Sequence, residues 1–360
     1  MRRIGNLYEK ICSMETLERA YRESRKGKTK KKLVKMVDEN PEFYLKQIQD
    51  MLINKTYKTS KYRVFILRER GKNREVCDLP FFPDRIVHWA IMIHIKPIFS
   101  RLFIQDTYAA IDGKGTHLAL RKLRKFMKDE EGTKYCLKLD VRKYFNNIDK
   151  EVLKQMLRRY IKCQDTLWLL DEIIDSYPQG IPIGNYTSQY FGNFYLSEFD
   201  HWIKEVKHRK YYLRYMDDLI IFGKTKQELH ELREDIAEYL KKLGLELKKN
   251  WQVFPTKIRG VDYVGYRSFY GYTLLRKATK KRMKKATRVI QRRVDCKQDL
   301  TSKNLGAYAS YNGILKHCSS FRLRNNSLKI IQKYVEKEIK KCRNTKKSTE
   351  HKQTDQKKSK

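Results

Sequence analysis

Three aspartates stand where a carboxylate is costly, in a chain whose charge is otherwise heavily positive. Asp140 closes the apolar run 135–141, and Asp217 with Asp218 separates the runs 211–215 and 219–222. A carboxylate at the end of a hydrophobic strand is unfavourable unless a cation compensates it. That cation is either a divalent metal or a Lys or Arg, and each acid alone reads first as a turn former or ion-pair partner; it is the combination in a strongly basic chain that points to a metal. Hard oxygen ligands at a strand tip suit Mg²⁺, which takes one or two carboxylates plus substrate phosphates. Two such ions roughly 3.5 to 4 Å apart would lower the pKa of an attacking 3′-hydroxyl and stabilise a leaving pyrophosphate. The chemistry is nucleotidyl transfer.

Periodicity supplies the elements that must hold these acids. Residues 62–67 and 74–79 read as two strands joined by a polar turn around Gly71, and 84–99 as a mostly buried helix opened by Asp84 as an acidic cap. Residues 116–128 read as a helix, 135–141 as a strand and 149–160 as a helix with Asp149 as its N-cap. Residues 186–204 read as one long aromatic-studded helix. Two short strands, 211–215 and 219–222, flank the Met216-Asp217-Asp218 tip, and 227–243 follows as a helix. This order implies an α+β fold in which antiparallel strands are backed by helices. No internal repeat is present.

Composition narrows the partners. The 360 residues carry 81 Lys+Arg against 42 Asp+Glu, a formal charge of +39, so a polyanion is needed to relieve self-repulsion. Nucleic acid is the first candidate and an anionic membrane surface the second. The 24 Tyr, 15 Phe and 4 Trp exclude wholesale disorder. No run approaches the roughly 18 to 20 apolar residues of a membrane span, and the N-terminus lacks a signal-peptide block, which points to a cytoplasmic protein. Seven cysteines (12, 77, 136, 163, 296, 318 and 342) form no CxxC pair, so reduced structural thiols are expected. Basic runs lie at 22–35 and 276–294, the second with Met283, Val289, Ile290 and Val294 near helical spacing. It is readable as a helix gripping phosphates or as a plain solvated helix. A third run, 340–360, has almost no apolar residues and is expected to be a disordered tail.

The motifs together resemble the reverse transcriptases. Tyr215-Met216-Asp217-Asp218 is similar to the family's YxDD motif, and Asp140 with Tyr144-Phe145 to its motif A. Gly71-Lys72-Asn73-Arg74 through Asp84-Arg85-Ile86-Val87-His88 resembles the fingers hairpin and first helix. The series continues with Asp106-Thr107-Tyr108-Ala109, Gly113-Lys114-Gly115-Thr116-His117, the stretch 243–249 (LGLELKK) like motif D, and Tyr263-Val264-Gly265-Tyr266 like the primer-grip turn. The resemblance implies a right-hand polymerase fold: a basic helical N-terminal extension (1–59), fingers and palm (60–273), a helical basic thumb (274–340) and the tail (341–360). It implies an RNA-directed DNA polymerase using two Mg²⁺ ions, with Asp140, Asp217 and the Val141 carbonyl as metal ligands and Asp218 as a supporting acid. Phe145 would be the steric gate beneath the sugar, beside Tyr144. Lys72 and Arg74 would hold the incoming triphosphate, and Lys248 or Lys249 would protonate pyrophosphate.

One segment narrows the resemblance. Most reverse transcriptases read Gln-Gly-x-x-x-Ser-Pro where this chain has Ile183-Gly184-Asn185-Tyr186-Thr187-Ser188-Gln189. Ile at the first position and Gln189 at the last resemble the enzymes of diversity-generating retroelements, which copy a template RNA with frequent errors at adenines. That implies template RNA, cDNA and dNTPs as partners, together with a small basic oligomeric accessory protein. It also implies a chain that stops after its thumb without ribonuclease H or integrase. The alternatives are an ordinary-fidelity bacterial reverse transcriptase, group II intron-like or phage-defence, and a non-catalytic RNA-binding protein.

Overall fold

A computed structural model describes residues 3–69 and 71–340. Those residues divide into two units: the described residues up to 119 with 135–254, and residues 120–134 with 255–340.

The first unit opens with four helices, α1 (Tyr8–Cys12), α2 (Met14–Arg25), α3 (Lys32–Glu39) and α4 (Pro41–Ile53). Short polar side chains start two of them. Ser13 Oγ accepts from the Thr16 amide at 3.3 Å, and Asn40 Oδ1 accepts from the Phe43 amide at 3.3 Å with Pro41 in the first helical position. Leu17, Ala20, Val34, Val37 and Ile48 are fully buried, so the basic run 22–35 occupies the outward faces and the loop between α2 and α3.

Strands β1 (Arg63–Glu69) and β2 (Lys72–Asp78) form the expected antiparallel hairpin, with Gly71 at φ +77° in its turn. Helix α5 (Ile86–Leu102) follows, but Asp84 does not cap it. A π-helical turn, Phe81–Arg85, precedes α5, and the fully buried Asp84 instead accepts from Tyr57 Oη at 2.9 Å and the Ser60 amide at 3.0 Å. An acid taken for a cap thus ties down the segment that leads into β1.

Helix α6 (Thr116–Phe126) begins in the first unit and passes into the second at Leu120; the first unit resumes with β3 (Tyr135–Asp140), the single turn α7 (Tyr144–Asn147), α8 (Lys150–Tyr160) and α9 (Gln164–Asp175). Asp149 caps α8 as expected, accepting from the amides of Glu151 and Val152. The long helix expected over 186–204 is broken. It is α10 (Tyr186–Tyr195), then α11 (Ser197–His201) and a π-helical turn, Trp202–Val206. Leu196 leaves the helical region at ψ 8°, and Ser197 Oγ donates to the Phe194 carbonyl at 2.7 Å, so a hydroxyl takes up an acceptor beside the break.

Strands β4 (Tyr212–Tyr215) and β5 (Asp218–Gly223) form the tip hairpin, α12 (Lys226–Lys242) follows with a Thr225–Glu228 capping box, and β6 (Gln252–Pro255) completes the sheet. The strand order is β4-β5-β3-β6, with β3 antiparallel to β5 and β5 to β4. Leu137, Leu139, Leu219 and Ile221 sink into one continuous core with α5, α10 and α12, so every acid-bearing strand end projects from a packed base.

In the second unit α13 (Thr256–Arg259) leads into a three-stranded antiparallel sheet, β7 (Val261–Tyr263), β8 (Tyr266–Ser268) and β9 (Thr273–Leu275). Its first turn is Val264-Gly265, both at positive φ (+42° and +95°) as a two-residue I′ hairpin loop requires. Helices α14 (Lys277–Asp295) and α15 (Ser302–Leu315) follow. In α14 the buried side is Met283, Thr287 and Ile290, while Val289, expected on that side, is 46% exposed. Residues 341–360, the expected tail, lie outside the described residues, as does Cys342; the other six cysteines are free thiols. Among the described residues no helix is long and apolar enough to cross a membrane.

Candidate active site

The tip hairpin is built against a backbone preference. Tyr215 pairs with Asp218, which leaves Met216 and Asp217 as a two-residue loop. Met216 has φ +59°, a left-handed conformation normally given to glycine at the first position of a II′ turn. A branchless but real side chain there costs on the order of 1 kcal/mol or more. The strain is held by Arg214, one residue before the paired Tyr215, whose Nη1 donates to the Met216 carbonyl at 3.1 Å.

Arg214 is itself fully buried and fully engaged. Its Nε and Nη2 donate to Asp200 at 2.8 and 2.6 Å, its Nη1 to Asn193 Oδ1 at 3.1 Å, and its Nη2 to the Asn193 carbonyl at 3.2 Å. Asp200, also at 0% exposure, accepts further from Tyr212 Oη at 2.6 Å and Thr107 Oγ1 at 2.9 Å, and Asn193 Nδ2 donates to the Ala109 carbonyl at 2.6 Å. A buried ion pair is tolerable only when its remaining hydrogen-bonding capacity is met, and here it is. Arg214, Asp200 and Asn193 were not among the sequence-derived site residues. The available signal was an arginine between Leu213 and Tyr215 in an otherwise apolar strand.

The hairpin brings the carboxylates together. Asp140 at the end of β3 pairs across the sheet with Asp218, and the Val141 amide donates to the Asp217 carbonyl at 3.2 Å. The 243–249 stretch closes the other side: the Arg142 amide donates to the Glu246 carbonyl and the Lys248 amide to the Asp140 carbonyl, each at 2.8 Å. Lys248 Nζ pairs with Asp140 Oδ1, whereas Lys249 is exposed. Asp218 Oδ1 lies 3.8 Å from Lys138 Nζ. Burial, and after it the adjacent Asp140 carboxylate within hydrogen-bonding reach, pushes the Asp217 carboxyl up to about 6.

Two carboxylates pressed together in this way fit a divalent cation. Among the described residues no three His, Cys, Asp or Glu side chains gather as a metal centre; Asp140 and Asp217 are the two carboxylates that could hold one. A hard cation that takes its remaining ligands from substrate phosphate and solvent is matched by that donor set.

Tyr144 and Phe145 lie next to this tip. The Phe145 carbonyl accepts from the Ile181 amide at 2.9 Å, and Tyr144 Oη donates to the Gly192 carbonyl of α10. Ile183 and Gly184 are pinned to β2: the Cys77 amide donates to the Ile183 carbonyl at 2.8 Å, and a Cβ at Gly184 (φ +131°) would collide with the Cys77 carbonyl. The Ile183 side chain is half-buried and Gln189 is exposed on α10. Arg74 is exposed on β2; Lys72 lies on the same strand, and its side chain is outside the described residues.

An antiparallel sheet carrying paired carboxylates at a hairpin tip, with an aromatic ring beside them, is the architecture of a nucleotidyl-transfer polymerase. Residues 58–268, more than half of the chain, match the family described as reverse transcriptase (RNA-dependent DNA polymerase), and the chain belongs to that family and has its right-hand polymerase fold. It is 26% identical to protein YkfC of Escherichia coli (strain K12), over 57% of this chain and 65% of that one. It is 25% identical to the group II intron-encoded protein LtrA of Lactococcus lactis subsp. cremoris, over 56% of this chain and 34% of LtrA. The chain thus spans under two thirds of the curated relatives it matches. Among solved structures it is similar to apo telomerase from Candida tropicalis truncated of its C-terminal domain, with a TM-score of 0.46, 11% identity, and coverage of 64% of this chain and 59% of that one.

Two outcomes follow from the geometry. Replacing Arg214 with Met leaves Asp200 buried without its partner, and equilibrium urea unfolding is expected to show a loss of about 3 to 5 kcal/mol; a loss below about 1 kcal/mol would contradict the buried pair. For Asp217 the folded pKa is raised above the carboxylate's ordinary value, so the folded state binds the proton more tightly. Metal-free stability is therefore greatest below about pH 4 for this group and falls as pH rises through about 6. In metal-free buffer at pH 8, Asp217→Asn should raise the melting temperature, and the gain should vanish at pH 4. A lowered melting temperature at pH 8 would show that the carboxylates do not repel.

Proposed function

We propose that this protein is a Mg²⁺-dependent RNA-directed DNA polymerase of a diversity-generating retroelement. It would make cDNA from a template-repeat RNA with errors directed to adenines. The observation that carries the polymerase reading is the convergence of Asp140 and Asp217 at a tip held by Arg214. The bound Mg²⁺ ions would activate the primer 3′-hydroxyl and neutralise the leaving pyrophosphate. Asp140, Asp217 and the Val141 carbonyl would hold them, and Asp218 would support the negative field. Arg74 and Lys72 on the fingers hairpin would receive the triphosphate. Phe145 would close the space beneath the sugar C2′ and so exclude a 2′-hydroxyl. Lys248, already against Asp140, would sit within reach of the pyrophosphate to donate its proton, a role open to Lys249 only if that exposed side chain turns inward.

In this reading residues 1–59 form the N-terminal extension, 60–273 the fingers and palm, 274–340 the thumb and 341–360 a basic tail. The outward cations of α14 would track the phosphate backbone of an RNA–DNA duplex, giving affinity that falls steeply with salt. The +39 charge supports template RNA and cDNA as partners in the cytoplasm. A small basic oligomeric accessory protein would deliver the template.

The similarity to the group II intron-encoded protein LtrA favours a second reading, a group II intron-like reverse transcriptase of ordinary fidelity. Ile183 separates the two. Its backbone is fixed by Cys77, so the side chain can be exchanged without moving the turn. Primer extension on an RNA template followed by product sequencing should show fewer adenine errors in Ile183→Gln than in the parent; identical error spectra would remove Ile183 as the cause and favour the second reading. In the same assay Asp217→Ala should lower synthesis at least about a hundredfold. Undiminished cDNA would refute the polymerase site.

A further inference from the structure

Gly192 lies at the middle of α10, buried, with ordinary helical backbone, where glycine costs helix stability of the order of 1 kcal/mol relative to alanine. No turn or left-handed φ requires it. What the position does have is neighbours on three sides. A Cβ at Gly192 would stand 3.2 Å from Phe145 Cε1, 3.3 Å from Met216 Sδ and 3.4 Å from Tyr144 Cε1. The first two belong to the proposed sugar gate and the strained tip loop, and the third to the ring that anchors α7 to α10 by donating to the Gly192 carbonyl.

These three neighbours do not yield equally. Tyr144 is buried and tethered by its hydroxyl, so its ring cannot retreat. Met216 has a flexible thioether that swings aside. The Phe145 main chain is clamped by the Ile181 amide at 2.9 Å and by the close approach of Gly180, where a Cβ would collide with the Phe145 carbonyl. The half-buried Phe145 ring therefore has only its own torsions with which to respond, and pressure from α10 pushes it outward. We infer that Gly192 is the specificity-determining floor of the sugar gate: by lacking a side chain it sets how deep the Phe145 ring sits, and hence how much room the incoming nucleotide's C2′ receives. This inference rests on the reading of Phe145 as the gate.

The test compares single-nucleotide incorporation of a dNTP and the matching rNTP on an RNA template by the parent, Gly192→Ala, Phe145→Ala and the double variant Gly192→Ala/Phe145→Leu. With the ring pushed a few tenths of an ångström toward the sugar, Gly192→Ala should raise KM for dNTP by roughly threefold to tenfold at little changed kcat, since an ångström of misplacement costs on the order of a hundredfold. It should also raise the dNTP-to-rNTP ratio of kcat/KM. Leucine at 145 lacks the Cε1 that meets Gly192, so the double variant should recover the parental KM and lose the added discrimination. An unchanged ratio in Gly192→Ala alongside a collapsed ratio in Phe145→Ala overturns the role of Gly192 while leaving the gate standing. An unchanged ratio in Phe145→Ala removes the gate itself, and this inference with it. Should Gly192→Ala prove unstable, its melting temperature decides: recovery in the double variant supports the contact, and no recovery overturns it.

Discussion

The buried pair between Arg214 and Asp200 is the interaction on which the site depends. Asp217 can approach Asp140 only because Met216 holds a left-handed backbone, and the fold supplies that conformation through a guanidinium hydrogen bond to the Met216 carbonyl. A guanidinium at 0% exposure is acceptable only opposite a carboxylate that is equally buried and also satisfied by Tyr212 and Thr107. The pair reaches three separate parts of the chain: the 106–109 segment through Thr107 and Ala109, α10 through Asn193, and α11 through Asp200. The break of the 186–204 helix at Leu196 belongs to the same arrangement, since it lies between Asn193 and Asp200, the two residues that grip one guanidinium. Helix continuity is given up where a polar network requires two differently oriented segments.

Much of the site was legible because its chemistry is concentrated in short motifs on strand ends. The three aspartates and the flanking strands follow from short apolar runs closed by a carboxylate, and the Asp149 cap from an acid just before an amphipathic helix, all local properties. Asp84 shows the limit of that logic. An acid just before an apolar helix has the pattern of a cap, yet burial and a tyrosine 27 residues away in sequence draw it elsewhere. Arg214 and Asp200 were missed for the same reason: an arginine within the apolar run 211–215 marks itself as unusual, but its partner Asp200 lies 14 residues away, and a buried ion pair is a relation that neither residue shows alone. The choice between Lys248 and Lys249 was likewise undecidable from the string, since it turns on which side of one irregular segment meets β3.

Electrostatics explains why so positive a chain concentrates negative charge at one point. Most Asp and Glu side chains near the surface of the first unit pair with a nearby Lys or Arg, as Asp171 does with Arg158 and Glu172 with Lys58. Asp217 is different in kind, since its strongest ionic neighbour is another carboxylate, and burial adds to the penalty. A fold selected for stability alone would neutralise or bury an apolar residue there. The repulsion raises the cost of keeping both carboxylates ionised, and Lys248 against Asp140 offsets only part of it.

The segment before α10 shows how such a site can be altered without disturbing this framework. Gly184 cannot change, because its contact with the Cys77 carbonyl leaves no space for a Cβ, and the Ile183 carbonyl is held by the Cys77 amide whatever side chain residue 183 carries. The main chain is therefore fixed at both residues, while the half-buried Ile183 side chain contributes packing and no hydrogen bond. Exchanging a branched aliphatic group for an amide at this point adds donors and acceptors to a surface whose position stays constant. A change in how strictly a nascent pair is held would then arise from side-chain chemistry at one residue, separable from the stability of the hairpin that Arg214 maintains.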